Sequence, residues 1–274
     1  IIGNGNTCLM KFNKDFKYEW GTFYGGELAD GFFNCDISSD GYLYAFGTHN
    51  SQNNITTPGA YQTTFNGTGG MIVKFDLNGN RIWGTFIADN TYTLKSKLKG
   101  DNIYLTGRAF PNSNLGTPGT LQETFQTLPS GSILSGNENS FICKFNYQTE
   151  QYLWGSYFLD YIIGVDIDSS NNVFFSGYTN INSGITTPDS YMPNKTNYHK
   201  SYLIKLNQNG QRVWGTYYGG NYGEQLGYVA IDNNNDIYLY GNTNGSTSGI
   251  ATLNASQTIL GSNPDTYLVK FLDC

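Results

Sequence analysis

The fold is decided by one phrase that occurs four times: Glu19-Trp20-Gly21-Thr22-Phe23-Tyr24, Ile82-Trp83-Gly84-Thr85-Phe86, Leu153-Trp154-Gly155-Ser156-Tyr157 and Val213-Trp214-Gly215-Thr216-Tyr217-Tyr218. The tryptophans stand 63, 71 and 60 residues apart. A recurrence of this size marks a chain built from copies of one supersecondary unit. Upstream of each phrase lies an apolar run with a lysine in register: Leu9-Met10-Lys11-Phe12, Ile72-Val73-Lys74-Phe75, Ile142-Cys143-Lys144-Phe145 and Leu203-Ile204-Lys205-Leu206. A fifth run, Leu268-Val269-Lys270-Phe271, closes the chain. Asn78-Gly79 and Asn209-Gly210, between a lysine run and the next tryptophan, are strong hairpin signals.

Further upstream, each unit has a run that ends on glycine: Leu43 to Gly47, Ile103 to Gly107, Val173 to Gly177 and Ile237 to Gly241. Glycine there suits a bend or a close backbone approach. Before it comes an alternating apolar strand and a polar turn, as in Phe33 to Ser38, Gly164 to Asp168 and Tyr228 to Asp232. The second unit departs from this, with Leu94-Lys95-Ser96-Lys97-Leu98 in that place. Between the glycine and the lysine run lies a loop of about 20 to 30 residues, long for a compact domain and hence a candidate functional surface. It has its own signature: Thr57-Pro58-Gly59-Ala60-Tyr61-Gln62, Thr117-Pro118-Gly119-Thr120-Leu121-Gln122 and Thr187-Pro188-Asp189-Ser190-Tyr191. The fourth copy, Thr252 to Gln257, has lost the proline.

Four antiparallel strands per unit, repeated, make the blade of a β-propeller. The expected architecture is all-β, one propeller domain with blades over roughly 31–88, 89–159 and 160–220 and a closing blade of 221–274 with 1–30. Closure would remove exposed sheet edges. The count of about four to five blades leaves two arrangements open, a small ring closed through the termini and an arc of a larger ring.

Only 13% of the 274 residues are charged, against about a quarter in typical soluble proteins. Glycine reaches 34 and tyrosine 22, so Asn, Ser, Thr, Gln and tyrosine hydroxyls supply the polar surface expected of a secreted or cell-surface β protein. A net charge of −6 and an isoelectric point near 4.8 give no basic footprint for nucleic acid. No apolar run of about 20 residues is present to insert in a membrane as a helix. The opening Ile1-Ile2-Gly3-Asn4 is neither an initiator methionine nor a signal peptide, so the chain reads as part of a larger polypeptide. Cys8, Cys35, Cys143 and Cys274 allow three disulfide pairings. Cys8 and Cys143 lie on apolar strands, where buried free thiols are expected, and Cys8 with Cys274 is the first pairing to test in a ring.

The order of these motifs (strand and glycine, TTPGAY, VKF, NG, WGTYYGG) resembles the SBBP β-propeller repeat of bacterial secreted and surface proteins, over essentially the full chain. Thr56 to Gln62, Met71 to Phe86 and Tyr202 to Gly220 match best. The resemblance implies an extracellular module of a large surface protein, often one using type IX secretion, without a defined biochemical role.

Candidate chemistry is sparse. The repeated lysines are expected to lay their stems along the blade or to pair with strand-end carboxylates, in preference to forming an anion site. The turn Asp166-x-Asp168-x-Ser170-x-Asn172, and Asp232 with Asn234 and Asp236, have the alternating oxygens of a calcium loop. They lack its terminal glutamate, Gly177 standing in that place, so turn formation is the expected role and calcium the minor alternative. His49 and His199 belong to no nucleophile motif and read as loop histidines on the surface, and no catalytic residue is assigned. Glu27 and Glu224 follow equivalent tryptophan strands and are the one carboxylate pair that could face a common site. Tyr24, Tyr217, Tyr218 and Tyr222, beside the Gly-Gly bends, are the candidate exposed aromatics for stacking on sugar rings. The sequons at Asn54, Asn66, Asn194, Asn244 and Asn254 are read as coincidental in an Asn-rich chain. The function expected is a non-catalytic binding or adhesion module for a glycan or surface protein. A propeller hydrolase or lyase acting on polysaccharide, and a purely structural spacer, are the alternatives.

Overall fold

The computed structural model describes residues 5–130, 132–195, 198–244, 250–261 and 264–271. Among them every regular element is a strand: β1 (Thr7–Phe12), β2 (Tyr18–Tyr24), β3 (Gly31–Ile37), β4 (Leu43–His49), β5 (Gly69–Phe75), β6 (Arg81–Asp89), β7 (Thr91–Lys99), β8 (Asn102–Ala109) and β9 (Asn139–Asn146). They continue with β10 (Gln151–Phe158), β11 (Gly164–Ile167), β12 (Val173–Thr179), β13 (Lys200–Leu206), β14 (Arg212–Tyr218), β15 (Glu224–Ile231), β16 (Ile237–Thr243) and β17 (Asp265–Phe271). The strands form three up-and-down four-stranded sheets in chain order, β3 to β6, β7 to β10 and β11 to β14. A three-stranded sheet, β15-β16-β17, and a two-stranded one, β1-β2, complete the set. This is the blade construction of a β-propeller. The deviant Leu94-to-Leu98 segment is the first strand of its sheet like the others, within β7.

The chain divides into two compact units, residues 1–116 with 141–155, and residues 117–140 with 156–274. In the first, Leu9 and Tyr24 pack with Ala45, Met71, Val73, Phe75 and Phe86, burying one face of the β3–β6 sheet. In the second, Phe174 and Leu203 meet Val229 and Ile237, and Tyr218 meets Leu239 and Tyr267. The middle strands of the complete sheets are covered on both faces, which explains their near-continuous apolar sequences.

Register is the same from blade to blade. Lys11 stands opposite Trp20, Lys74 opposite Trp83 and Lys205 opposite Trp214, and a bulge follows each lysine immediately. The turn below it is headed by a side chain whose oxygen takes the free backbone N–H groups. Asp76 accepts from Asn78 and Asn80, and Asn207 from Asn209 and Gln211.

Two glycines per blade answer to backbone contact. Towards the end of the second strand a methyl on Gly47, Gly107, Gly177 or Gly241 would overlap the carbonyl of Gly31, Tyr92, Tyr161 or Leu226, on the first strand of the sheet or, for Tyr161, just before it. The glycine after tryptophan does the same for the long loop. Gly84, Gly155 and Gly215 lie directly under the carbonyls of Ile55, Leu115 and Ile185, whose side chains are buried. Gly215→Ala is therefore expected to destabilise by several kcal/mol, because backbone must move. Gly41→Ala, at positive φ in open space, should cost only about 1 kcal/mol. Urea unfolding of both variants checks the difference, and equal costs would contradict the docking of loop on strand.

Candidate functional site

The seated carbonyl positions the rest of the long loop along the free edge of the fourth strand. In the first blade Thr57 N–H donates to Gly84 O, Gln62 N–H to Thr85 Oγ1 and Phe86 N–H to Gln62 O. In the third, Thr187 N–H donates to Gly215 O, Met192 N–H to Thr216 Oγ1 and Tyr217 N–H to Met192 O. The recurring Thr-Pro segment is thus a short strand substitute that covers an edge. Gln62 Nε2 fixes the loop by donating to Thr64 O and Asp89 Oδ1, and Gln122 Nε2 does the same with Thr124 O and Asn139 Oδ1. Tyr61 then packs edge-on to Phe145, and Tyr191 to Phe271, so the loop aromatic meets the phenylalanine of a lysine run.

Beside these loops lie two grooves. The larger, about 500 Å³ in the second unit, is lined by the Thr120–Gln126 segment, Phe158, Leu159, Ile181, Ser183 and Arg212. The smaller, about 270 Å³ in the first unit, is lined by Tyr61, Gln62, Ala88, Asp89, Asn114 and Tyr152. They are the same place in successive repeats. Gln62 corresponds to Gln122, Ala88 to Leu159, and Tyr152 to Arg212, the last two each standing two residues before a tryptophan. Arg212 Nη1 reaches Gly184 O at 2.9 Å, and Tyr152 OH reaches Leu115 O at 2.6 Å, so each holds the loop that forms the far wall. The loop signature was legible in the sequence as a repeated motif. The position two before tryptophan was overlooked, and its signal was variability, Arg or Tyr, inside an otherwise constant phrase.

The tyrosines expected to be exposed mostly are not. Tyr24, Tyr217 and Tyr218 are buried, and their hydroxyls donate to Ile55 O, Ile181 O and Ile250 O. Burial pushes each phenol up to about 12. They bond the loops to the strands and offer no face to a sugar. Tyr222 alone is exposed, with its ring 5.7 Å from that of Tyr198. The surface reading of the histidines also needs correction. His49, the last residue of β4, is fully buried and stacked on Phe86 at 3.9 Å, and desolvation lowers its pKa to about 4. His199 is half-buried. Cys143 is buried as expected, whereas Cys8 is exposed on β1. The Cys8–Cys274 pairing lies outside the described residues.

Glu27 and Glu224 occupy unlike surroundings. Glu27 is half-buried and accepts from the backbone of Gln52 and Asn53. Glu224 is buried with Lys200 at 2.6 Å, and also accepts from Gly220 N–H. Asp30 holds the corresponding place in the first blade, taking Gly26 N–H, Asn50 N–H and Ser51 Oγ. In the third blade it is Asp160, reached by Thr179 Oγ1 at 2.6 Å and Ile133 N–H. These acids tie a bend to the end of the second strand. The calcium-like loops are used likewise: Asp168 accepts from Ser170 and Asn172, and Asp232 from Asn234 and Asp236. Among the described residues no group of three or more His, Cys, Asp or Glu side chains is placed to hold a metal ion. The lysines behave as read: Lys74 pairs with Asp40 and lies over Tyr42, Lys270 pairs with Asp236, and Lys205 lies over Phe174.

No family model matches the chain. The uncharacterized WD repeat-containing protein L264 of Acanthamoeba polyphaga mimivirus is 25% identical over 234 residues, 74% of this chain, and the chain spans only 17% of that protein's length. Among solved structures, the Pyrococcus horikoshii acylaminoacyl peptidase aligns with 77% of this chain and 35% of its own, at 10% identity and a TM-score of 0.30. The Dos1 propeller aligns with 85% of this chain and 55% of its own, at 11% identity and a TM-score of 0.30. With its repeated four-stranded antiparallel blades in constant register, the chain is a β-propeller repeat protein.

Asp160 gives this scaffold a pH signature. Burial raises its pKa from the model-compound 3.8 to about 7, against the lowering effect of its hydrogen bonds. The folded state then holds a proton that the unfolded chain releases, so stability falls as pH rises from about 4 to 7 and is level above. Relative to Asp160→Asn, the wild type should lose on the order of 3 kcal/mol across that window. Urea unfolding at pH 4, 5.5 and 7.5 measures it, and parallel curves for the two proteins would refute the assignment.

Proposed function

We propose that this protein is a non-catalytic interaction module whose rim grooves take a protein partner. The observation that carries this reading is the repetition of one groove beside the long loops of two successive repeats, with different residues at the same wall position. A rigid scaffold with variable residues at a repeated surface is the common arrangement of binding repeats. The ionisable groups support a non-catalytic role, since Asp30, Asp160, Glu224 and the turn aspartates are engaged in holding backbone. The sparse charge and abundant Tyr, Asn and Thr, with the SBBP-like motif order, support a place outside the cell and an adhesive role toward a glycan or surface protein.

The test is a screen of the intact chain against an extended-peptide library and a glycan array, repeated with Ser183→Trp and Asn114→Trp, which fill the two grooves from exposed positions. Peptide binding that these variants reduce at least tenfold, about 1.4 kcal/mol or more, is the expected outcome. Glycan binding sensitive to the same variants would move the partner to a sugar. Binding unaffected by both would refute the grooves as the site.

A further inference from the structure

The residue two before tryptophan bonds the long loop in three repeats, and each repeat disposes of the rest of that side chain differently. Arg81 Nη1 donates to Asn54 O at 2.7 Å, and its guanidinium lies over the Tyr24 ring at 5.9 Å. Tyr152 OH donates to Leu115 O, and its ring stacks on Tyr61 at 5.8 Å. Arg212 Nη1 donates to Gly184 O at 2.9 Å, and the side chain is exposed. Among the described residues Arg212 has no carboxylate partner, lies over no ring and makes no second hydrogen bond.

Two substitutions within the repeat account for this. Phe158 stands four residues after Trp154, where Tyr24 stands four after Trp20. Tyr24 OH donates to Ile55 O at 2.5 Å and so sets a phenol beside Arg81. Phenylalanine has no hydroxyl for that bond. In the loop, Leu121 takes the place of Tyr61, so no phenol fills the space beside Arg212 either. The result is the larger groove, about 500 Å³ against about 270 Å³ beside Tyr152. Its lining joins the unused guanidinium donors to the aliphatic side chains of Leu121, Leu159 and Ile181. Glu123, the acid of the lining, turns one carboxylate oxygen to Gly119 N–H at 2.7 Å and is thereby tied back to its own loop. Phe158, the aromatic of the lining, is 4% exposed and offers no open face to a sugar ring.

We propose that the Arg212 groove selects an acidic peptide, an extended segment with a carboxylate next to an aliphatic side chain. This rests on the function proposed above and names the chemistry that one of the two grooves prefers. A guanidinium fork matches a carboxylate in two parallel hydrogen bonds. A charge at the rim of a site contributes selectivity more than raw affinity. The Tyr152 groove, with a phenol in the same place, lacks this preference.

The probes are extended peptides in which Glu, Gln or Lys follows a leucine, each with a free and an amidated C-terminus, titrated into the intact chain by fluorescence anisotropy. Peptides with a carboxylate should bind at least tenfold tighter than their neutral counterparts, about 1.4 kcal/mol, and Ser183→Trp should block them. An advantage of Glu over Gln in amidated peptides assigns a side chain; an advantage confined to free termini assigns the terminal carboxylate. Arg212→Tyr copies the wall of the other groove, so it should keep the thermal melt while removing the preference. Arg212→Gln is the second neutral variant if tyrosine disturbs the blade. Binding that Ser183→Trp blocks but that ignores the carboxylate overturns this inference and leaves the proposed function standing. A preference that survives both Arg212 variants overturns it too. Absence of peptide binding overturns both readings, and uptake of oligogalacturonate in its place, lost in Arg212→Tyr, gives the groove to an acidic sugar.

Discussion

Everything outside the strands depends on one backbone contact: the carbonyl of Ile55, Leu115 or Ile185 resting on the glycine that follows tryptophan. A side chain there would overlap that carbonyl and push the loop off the strand. With glycine the loop comes close enough for its own N–H and C=O groups to bond the outer edge. A propeller blade otherwise presents its last strand unpaired, and an open edge invites pairing with other chains. The same contact fixes where the loop aromatic lands on the next lysine run, and so where the rim groove opens. Edge protection, blade contact and site geometry are one feature.

The polar economy follows from the low charge of the chain. With few ionisable groups to place, the fold uses its buried carboxylates as backbone acceptors at each bend, and Asp30, Asp160 and Glu224 are satisfied in two ways. Asp30 and Asp160 take backbone N–H and hydroxyl donors, those of Asp160 coming from Ile133, Tyr161 and Thr179, whereas Glu224 also takes a lysine. An ion pair as enclosed as Lys200–Glu224 gains little net stability but is costly to break on one side. Its value lies in registering the bend against β13. Among the described residues no cation pairs with Asp160, and burial drives its pKa toward neutrality while its hydrogen bonds hold it only partly back.

The strands were legible because period-two patterning, hairpin turns and punctuating glycines all agree within each unit. β1, β2 and β17 fall where the lysine and tryptophan runs place them. Side-chain direction in the aromatic-rich segments was not legible. Tyr217 and Tyr218 are adjacent and so point to opposite faces of β14, yet both are buried, since that strand is covered on each side. Alternation carries no information where both faces are enclosed. The same reason hid His49. It sits two residues beyond Gly47, on the inward register of β4, and nothing local distinguishes it from the polar loop that begins one residue later. The grooves were missed for a different cause. They are formed by separate segments spread over about 90 residues of chain, Tyr61 to Tyr152 and Thr120 to Arg212, and no local pattern encodes that proximity.

Those distant segments also separate what is fixed from what can vary. Gln62 and Gln122 each add two side-chain bonds that hold the loop after its turn, while the third repeat docks its loop with Met192 in that place through backbone bonds. The wall residue two before tryptophan reaches a loop carbonyl, and Arg212 does this with one guanidinium nitrogen while Tyr152 does it with a phenol. Tyr152 also stacks on Tyr61 at 5.8 Å, so its ring joins the loop aromatic in walling the groove. A repeat protein that diversified its contacts would do so at this position, where side chains as different as arginine and tyrosine supply the same hydrogen bond to the loop.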